Sequence, residues 1–298
     1  GEISALKLLS ENPERYPDAA VFGIHSLLRD GGREAADISA IKMGTTAATN
    51  ALLERQGAAT ALVITAGFRD ALRIGYQNRP DIFALDIRLP EMLYSLVVEV
   101  RERISAHGDL VEPLDEQRLR EDLEDARQRG ISSVAIVLLH GYRYPEHERR
   151  VARIARELDF EQISVSHETS PLMKLVSRGD TTLVDAYLSP VLDRYIGQVR
   201  TDLANKLDTA PLLFMQSHGG LTRAESFRGK DSILSGPAGG VIGMVETGRV
   251  AGIEKLIGFD MGGTSTDVSL FEGELERTSS SVIAGIRLTA PMLRIQTV

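Results

Sequence analysis

The chain has 298 residues, of which 43% are hydrophobic, enough to bury the cores of two domains of ordinary size. Its 42 acidic and 34 basic residues give a formal charge of −8, which excludes the basic surface that binding to nucleic acid or to an anionic membrane requires. The sequence contains no cysteine, which excludes disulfides and thiolate metal sites, and no apolar run approaches the ~20 residues of a membrane-spanning helix, so we expect a cytoplasmic protein.

Short β-type runs alternate with amphipathic helical stretches along the chain, a pattern typical of α/β proteins. The predicted strands cover residues 61–65, 134–139, 163–166, 212–216, 256–260 and 266–271. The predicted helices cover residues 115–129, 148–158 and 181–203, and Pro190 has to kink the last of these or begin a second helix. We place a domain boundary before this last helix, which divides the chain into residues 1–180 and 181–298.

A glycine turn at Gly44 leads into a further predicted helix that has Thr45 or Thr46 as its N-cap. The hydroxyl and the free N–H groups of such a helix start can contact a small polar ligand. We therefore take Thr45 and Thr46 as candidate substrate-binding residues. The alternative is a cap that only starts the helix.

Two loops later in the chain combine groups suited to holding a small polar ligand. The loop over residues 75–81 brings the amide of Asn78 and the guanidinium of Arg79 together with an aromatic side chain. The second loop contains Arg178 and Asp180. We take Asn78, Arg79 and Arg178 as candidate substrate-binding residues, with Arg79 first because Asp180 can neutralise Arg178. In each loop the alternative is a surface salt bridge.

Small residues are concentrated at positions 235–243, just before a predicted helix. Gly236, Gly239 and Gly240 permit close approach of the backbone, and free N–H groups at a helix start attract anions. We take these three glycines as candidate nucleotide-binding residues. The alternative is a glycine-rich loop that allows the helix to pack tightly.

The strongest signal is a predicted phosphate-binding hairpin at residues 256–269. An apolar strand ends at Asp260, a turn of small and hydroxyl residues follows, and a second strand begins at Asp267. Backbone N–H groups and hydroxyls of the turn can cradle a phosphate, and the candidates are Gly262, Gly263, Thr264, Ser265 and Thr266. Asp260 and Asp267 are the candidate catalytic residues, because a carboxylate beside a phosphate can accept a proton or, at Asp260, hold Mg²⁺ through water. The alternative is a tight structural hairpin.

Taken in order, these segments resemble the hydantoinase A and 5-oxoprolinase family over nearly the whole chain. The resemblance is carried by residues 6–10, 16–19, 44–46, 79–83, 217–221, 235–240 and 260–267. It implies that this chain forms part of an actin-like ATPase fold of the sugar-kinase and heat-shock 70 type. Family members begin with a first phosphate hairpin and continue into a glycine-rich segment, so we expect this chain to be truncated at both ends and unable to turn over ATP by itself.

The resemblance implies that ATP phosphorylates the oxygen of a lactam, after which the activated ring is hydrolysed. It implies ATP and Mg²⁺ as cofactors, 5-oxo-L-proline as substrate and L-glutamate as product. The partners we expect are a cyclic amide, a hydantoinase B-type subunit or domain, and further copies of the chain in a homo-oligomer, but no nucleic acid and no membrane. The alternatives are hydrolysis of an N-substituted hydantoin, carboxylation of an acetone-type ketone, and a non-catalytic, nucleotide-switched domain.

Overall fold

The structure, a computed structural model, describes residues 3–9, 12, 14–16, 18–77, 83, 85–86, 91–203, 210–261 and 266–297. Within these residues the helices are α1 (Ala19–Asp30), α2 (Ala47–Leu53), α3 (Ala71–Ile74), α4 (Glu116–Gln128), α5 (Glu146–Glu157), α6 (Ser166–Thr169), α7 (Leu175–Leu203), α8 (Gly229–Ser232) and α9 (Ser235–Val250). The strands are β1 (Ile41–Met43), β2 (Thr60–Thr65), β3 (Leu96–Val100), β4 (Arg103–Ile104), β5 (Leu110–Glu112), β6 (Ser133–Val137), β7 (Gln162–Val165), β8 (Leu212–Met215), β9 (Leu221–Arg223), β10 (Lys255–Met261), β11 (Thr266–Glu272), β12 (Arg277–Thr278), β13 (Ser281–Ile283), β14 (Ile286–Leu288), β15 (Met292–Leu293) and β16 (Gln296–Thr297).

A parallel sheet with the strand order β3-β2-β6-β7 forms the centre of the first part of the chain. Both faces of this sheet are buried, because successive side chains of a strand point to opposite sides. On β2, Leu62 and Ile64 pack into one hydrophobic cluster, whereas Ala61 and Val63 pack into a second cluster. The continuous apolar runs that predict these strands are therefore explained by a sheet that is covered on both sides.

Helices α4 and α5 cover one face of this sheet, and α7 covers the other. Leu119 and Leu123 of α4 and Val151 of α5 are buried, as the helical periodicity predicts. Gly130 follows the end of α4 with a φ of 82°, the left-handed conformation that glycine adopts most easily, so the predicted helix stop is confirmed.

Helix α7 begins at Leu175, earlier than predicted, and continues past Pro190 as one helix, so of the two predicted alternatives, a kink or a second helix, the second helix is excluded. Proline cannot donate to the carbonyl four residues before it. That carbonyl, of Ala186, instead accepts a hydrogen bond from Ser133 Oγ at 2.6 Å, which links the helix to β6. The sheet therefore supplies the donor that Pro190 lacks. The boundary near residue 180 falls within α7, and the two-domain division stays a prediction.

Helix α9 of the second part of the chain lies between two small sheets, one of which includes β1 from the first part. β1 pairs in parallel with β8, which pairs with β9, and on the other side β10, β11 and β16 form an antiparallel sheet. All six predicted strands are present, with ends displaced by at most two residues. Across the part of the chain that the structure describes, no helix has both the length and the apolar character needed to cross a membrane.

Candidate functional site

The hairpin of β10 and β11 places Asp260 and Asp267 directly opposite each other. Met261 and Thr266 form the next pair and are the last described residues on either side of the turn. The residues predicted to cradle a phosphate within the turn lie outside the described residues and stay predictions: Gly262, Gly263, Thr264 and Ser265. The predicted antiparallel hairpin is present.

One face of this hairpin packs against α9 so closely that position 258 has no room for a side chain. A Cβ on Gly258 would lie 2.4 Å from Ser269 Oγ and 2.8 Å from Met244 Sδ. Because side chains alternate along a strand, Asp260 points to the same face as position 258, and Asp267 to the same face as Ser269. Both carboxylates are therefore on the side of the hairpin that faces α9.

A cleft of about 350 Å³ lies between the start of α9 and this face of the hairpin. Its lining includes Asp260, Asp267, Pro237, Gly240 and Ile295. A Cβ on Gly240 would meet no atom within 4 Å, so the backbone of α9 is open to the cleft at this position. The structure thus brings the predicted glycine-rich segment and the two predicted aspartates to the same place.

The three candidate glycines of α9 have different surroundings. Gly240 borders the cleft, whereas Gly236 lies in the first turn of α9 and approaches α2. A Cβ on Gly239 would lie 3.8 Å from Met215 Cγ, so Gly239 faces β8 instead of the cleft. Only Gly240 of the three therefore leaves the backbone of α9 open to the cleft.

The two carboxylates fit a hydrated divalent cation. Like charges directly opposite each other on an antiparallel pair destabilise it, and a cation between them removes that repulsion. Mg²⁺ prefers carboxylate oxygens and keeps several of its waters. In the described part of the chain, no group of three or more His, Asp or Glu side chains forms a cage. A Mg²⁺ ion held by Asp260 and Asp267 would therefore complete its shell with water and phosphate oxygens.

Thr45 and Thr46 lie where α2 meets the start of α9. Thr46 is the N-cap of α2, whereas Thr45 precedes it, is buried, and accepts a hydrogen bond at its hydroxyl from the backbone N–H of Ala47 at 3.1 Å. Thr46 is exposed and makes no side-chain capping bond. Its Cγ2 is 3.2 Å from the position that a Cβ on Gly236 would occupy. Of the two threonines, Thr45 uses its hydroxyl in a local backbone contact, whereas the Thr46 hydroxyl makes no bond to the helix start.

Tyr195 of α7, which the sequence places in the predicted helix over residues 181–203 without any role in a site, lies beside this junction. Burial and the charge of Asp18 raise the pKa of the Tyr195 phenol, and a hydrogen bond with Thr45 opposes that rise. The ring also packs edge to face on Phe214 of β8, with centroids 6.5 Å apart. The phenol is therefore protonated at neutral pH and provides a neutral hydrogen-bonding group behind Thr45.

The described residues of the candidate loop over residues 75–81, which are 75–77, lie towards the other end of α7. The Arg287 guanidinium lies 5.4 Å from the centroid of the Tyr76 ring and donates from Nε to Asp180 Oδ2 at 2.6 Å. A helical rise of about 1.5 Å per residue puts Asp180 roughly 22 Å from Tyr195 along α7. Two candidate substrate-binding residues of this loop, Asn78 and Arg79, lie outside the described residues and stay predictions.

Arg178 lies in the interior, with a side chain that is 0% exposed. Its Nη1 is 3.3 Å from Glu148 Oε1, and its Nη2 donates to the Leu138 carbonyl at 2.8 Å. Burial lowers the pKa of Arg178, and the charge of Glu148 opposes this effect. The prediction that Asp180 neutralises Arg178 is wrong, because Asp180 pairs with Arg287. A ligand would have to displace this packing to reach Arg178, so its placement favours a structural role.

Glu148 is the centre of a buried network that sequence reasoning missed. Its Oε1 accepts from Leu138 N at 2.9 Å and from the Ser166 hydroxyl, and its Oε2 accepts from the His167 backbone at 3.0 Å. Leu138 follows β6, and Ser166 and His167 follow β7. The Glu148 carboxylate therefore joins the carboxyl ends of two parallel strands to Arg178 of α7. Sequence spacing offers one signal, a glutamate on the buried side of an amphipathic helix.

Two family models match this chain. The model of the hydantoinase/oxoprolinase N-terminal region matches residues 1–159, and the hydantoinase/oxoprolinase model matches residues 178–298. The chain is 43% identical over 322 residues to 5-oxoprolinase 1 of Arabidopsis thaliana, an alignment that covers 98% of this chain and 25% of that protein. The chain thus spans about a quarter of the length of the curated relatives it matches.

Two solved structures share the fold. A nucleotide-free structure of acetone carboxylase, from work on ATP-dependent acetone carboxylation, has a TM-score of 0.82 at 25% identity and covers 93% of this chain and 42% of its own. The ATP-dependent caprolactamase of Pseudomonas jessenii has a TM-score of 0.81 at 30% identity and covers 97% of this chain and 43% of its own. These likenesses confirm the predicted α/β class and ATPase-type fold.

Proposed function

This chain belongs to the hydantoinase/oxoprolinase family, and from that membership we propose that the whole protein uses ATP to open a cyclic amide, with 5-oxo-L-proline as substrate and L-glutamate as product. The observation that carries the proposal is the pair Asp260 and Asp267, which face each other across a hairpin and border a cleft at the start of α9. Fold alone does not specify chemistry. Two opposed carboxylates can hold a metal ion, and the free N–H groups at the start of α9 can bind the phosphate attached to that metal.

The proposed reaction has two steps. An unstrained amide is a poor electrophile, so the lactam oxygen first attacks the γ-phosphorus of ATP and ADP leaves. In the second step water adds to the activated carbon and the ring C–N bond breaks, which leaves an acyl phosphate. A second water then displaces phosphate from the same carbon, so that phosphate departs with the former lactam oxygen. Mg²⁺ supplies charge neutralisation at the phosphates. Asp260 and Asp267 hold its water shell or accept a proton, and the turn from Gly262 to Thr266 donates to phosphate oxygens.

The substrate is proposed to bind near the junction of α2 and α9. Thr46 supports this placement, because it is exposed and lies against Gly236 next to the cleft. Asn78 and Arg79 remain the proposed contacts for a substrate carboxylate, which requires the chain after Gln77 to extend from the other end of α7 towards this junction. Arg79→Lys is expected to weaken 5-oxoproline binding because the planar fork is lost. Arg178 is kept only as a support for the surrounding structure.

A hydantoinase B-type subunit or domain is proposed as the partner that completes hydrolysis. The chain matches about a quarter of its relatives' length, so most of each relative lies outside the matched region. A homo-oligomer is likewise proposed for the whole protein.

A second candidate reaction is the carboxylation of a ketone. It is favoured by the TM-score of 0.82 to acetone carboxylase, although the higher identity to 5-oxoprolinase 1 supports ring opening. Both reactions activate an oxygen with ATP. The hydrolysis of an N-substituted hydantoin uses the same steps on another ring, and a nucleotide-switched domain without turnover uses the site for binding alone.

The test is turnover by the whole protein, together with any B-type partner. Purified protein is incubated with Mg²⁺, ATP and in turn 5-oxoproline, hydantoin and acetone with bicarbonate, and ADP and the organic product are measured. We expect ADP and glutamate to form in equal amounts with 5-oxoproline. ADP release that is independent of all three compounds would contradict the proposal and favour the nucleotide-switched alternative.

A further inference from the structure

The residue before α9 has a backbone conformation that leucine rarely adopts. Leu234 has a φ of 59° and a ψ of 21°, in the left-handed region, where a Cβ crowds the following carbonyl. Such a conformation persists only where the surrounding structure fixes it, and it is concentrated near functional sites. Gly236 and Pro237 follow two and three positions later, and Pro237 lines the cleft that also contains Asp260.

Three hydroxyl groups hold the backbone on both sides of Leu234. Thr49 Oγ1 accepts from the Leu234 backbone N–H at 3.0 Å. Ser235 Oγ donates to the Thr45 carbonyl at 2.9 Å, and Ser217 Oγ donates to the Ile233 carbonyl at 2.6 Å. One of these bonds therefore ties the start of α9 to α2, another ties it to the turn just before α2, and the third ties it to the segment after β8.

Thr49 differs from other helical threonines of this chain in the direction of its bond. Thr182, Thr201 and Thr247 each donate to the carbonyl four residues earlier in their own helix. Thr49 instead accepts a bond from a residue 185 positions away. Threonine also has a lower helix propensity than alanine, so the helix itself gives no reason for a threonine at this position. The contact with Leu234 provides that reason.

We propose that Thr49 is a positioning residue that holds the strained Leu234 turn, and with it the start of α9, in the orientation that the nucleotide requires. This inference rests on the proposed function, since it assigns a role within the same cleft. Without the Thr49 hydroxyl, Leu234 can relax out of the left-handed region. That relaxation changes the direction of the chain entering Gly236 and Pro237, while Asp260 and Asp267 stay on their own strands.

The test compares Thr49→Val with Thr49→Ser in the whole protein. Valine keeps the shape but removes the acceptor, whereas serine keeps the hydroxyl. Binding of a non-hydrolysable ATP analogue with Mg²⁺ is measured first, because it requires no turnover. We expect Thr49→Val to weaken binding about tenfold, a change of about 1.4 kcal/mol, and Thr49→Ser to restore most of it. In turnover, the KM for ATP should rise more than kcat falls.

Thr247→Val is the matched control, since it removes an exposed hydroxyl from α9 that bonds only within the helix. It should leave nucleotide binding unchanged. If Thr49→Val does not fold, Ser235→Ala removes the neighbouring bond, from the start of α9 to the turn before α2, and should also weaken binding. A folded Thr49→Val protein with normal nucleotide affinity would overturn the inference. If Thr49→Val weakens analogue binding but the unaltered protein hydrolyses no lactam, the role of Thr49 is supported and the proposed reaction is contradicted.

Discussion

Asp260→Asn in the whole protein is expected to abolish ATP-dependent ring opening while leaving the fold intact. The amide keeps the shape of the carboxylate but removes the charge that holds Mg²⁺ water or accepts a proton, and loss of such a group lowers kcat by about 10²- to 10⁴-fold. Asp260 is exposed, so its replacement should change the free energy of unfolding by less than about 0.5 kcal/mol. Asp267→Asn should be damaging as well. The measurement is kcat for ADP and glutamate release, with circular dichroism as the check on folding.

The matched control is Asp30→Asn, an exposed aspartate at the end of α1 that is remote in sequence from the hairpin. It should retain full turnover. Near-normal turnover in Asp260→Asn would reduce the hairpin to a structural turn. A folded but inactive Asp260→Asn that also fails to bind the nucleotide would assign the residue to metal binding, whereas intact binding would assign it to the chemical step.

Glu148→Ala is expected to destabilise the chain by about 3–5 kcal/mol, because it leaves the buried Arg178 without its counter-charge. Glu148 is 0% exposed and accepts bonds from Leu138, Ser166 and His167 as well. The measurement is denaturant unfolding followed by circular dichroism, in which the midpoint should fall. Glu148→Gln should cost less than Glu148→Ala, since it keeps the shape of the side chain.

Glu157→Ala on the same helix is the matched control. Glu157 is half exposed and pairs with Arg120 at the surface, so its loss should cost less than about 1 kcal/mol. Equal effects of the two variants would contradict the structural role given to the Glu148 network. If Glu148→Ala were stable but raised the KM for the lactam, Arg178 would return as a candidate substrate contact.

The elements that the sequence predicts well are those defined by local chemistry. β2 and β6 follow from continuous apolar runs, and the hairpin follows from small turn residues between two strands. The glycine at 130 marks the end of α4 for the same local reason. Local patterns also locate Asp260 and Asp267, because both residues are defined by their positions at the ends of strands.

The features that sequence reasoning missed depend on contacts between distant segments. Pro190 is accommodated because Ser133 donates to the Ala186 carbonyl, which the proline cannot reach. Ser133 lies 53 positions before Ala186. The partner of Arg178 is Glu148, 30 positions earlier, instead of the neighbouring Asp180. Periodicity and turn rules describe short windows, so they cannot identify such partners without a fold.

The most direct test of the central claim follows the lactam oxygen. The whole protein, with any B-type partner, is given 5-oxoproline labelled with ¹⁸O at the ring carbonyl, and the released phosphate and glutamate are analysed by mass spectrometry. If ATP phosphorylates this oxygen, each turnover transfers one ¹⁸O to phosphate. Unlabelled phosphate together with glutamate that keeps the ¹⁸O would contradict the account, because the account has phosphate depart with the lactam oxygen.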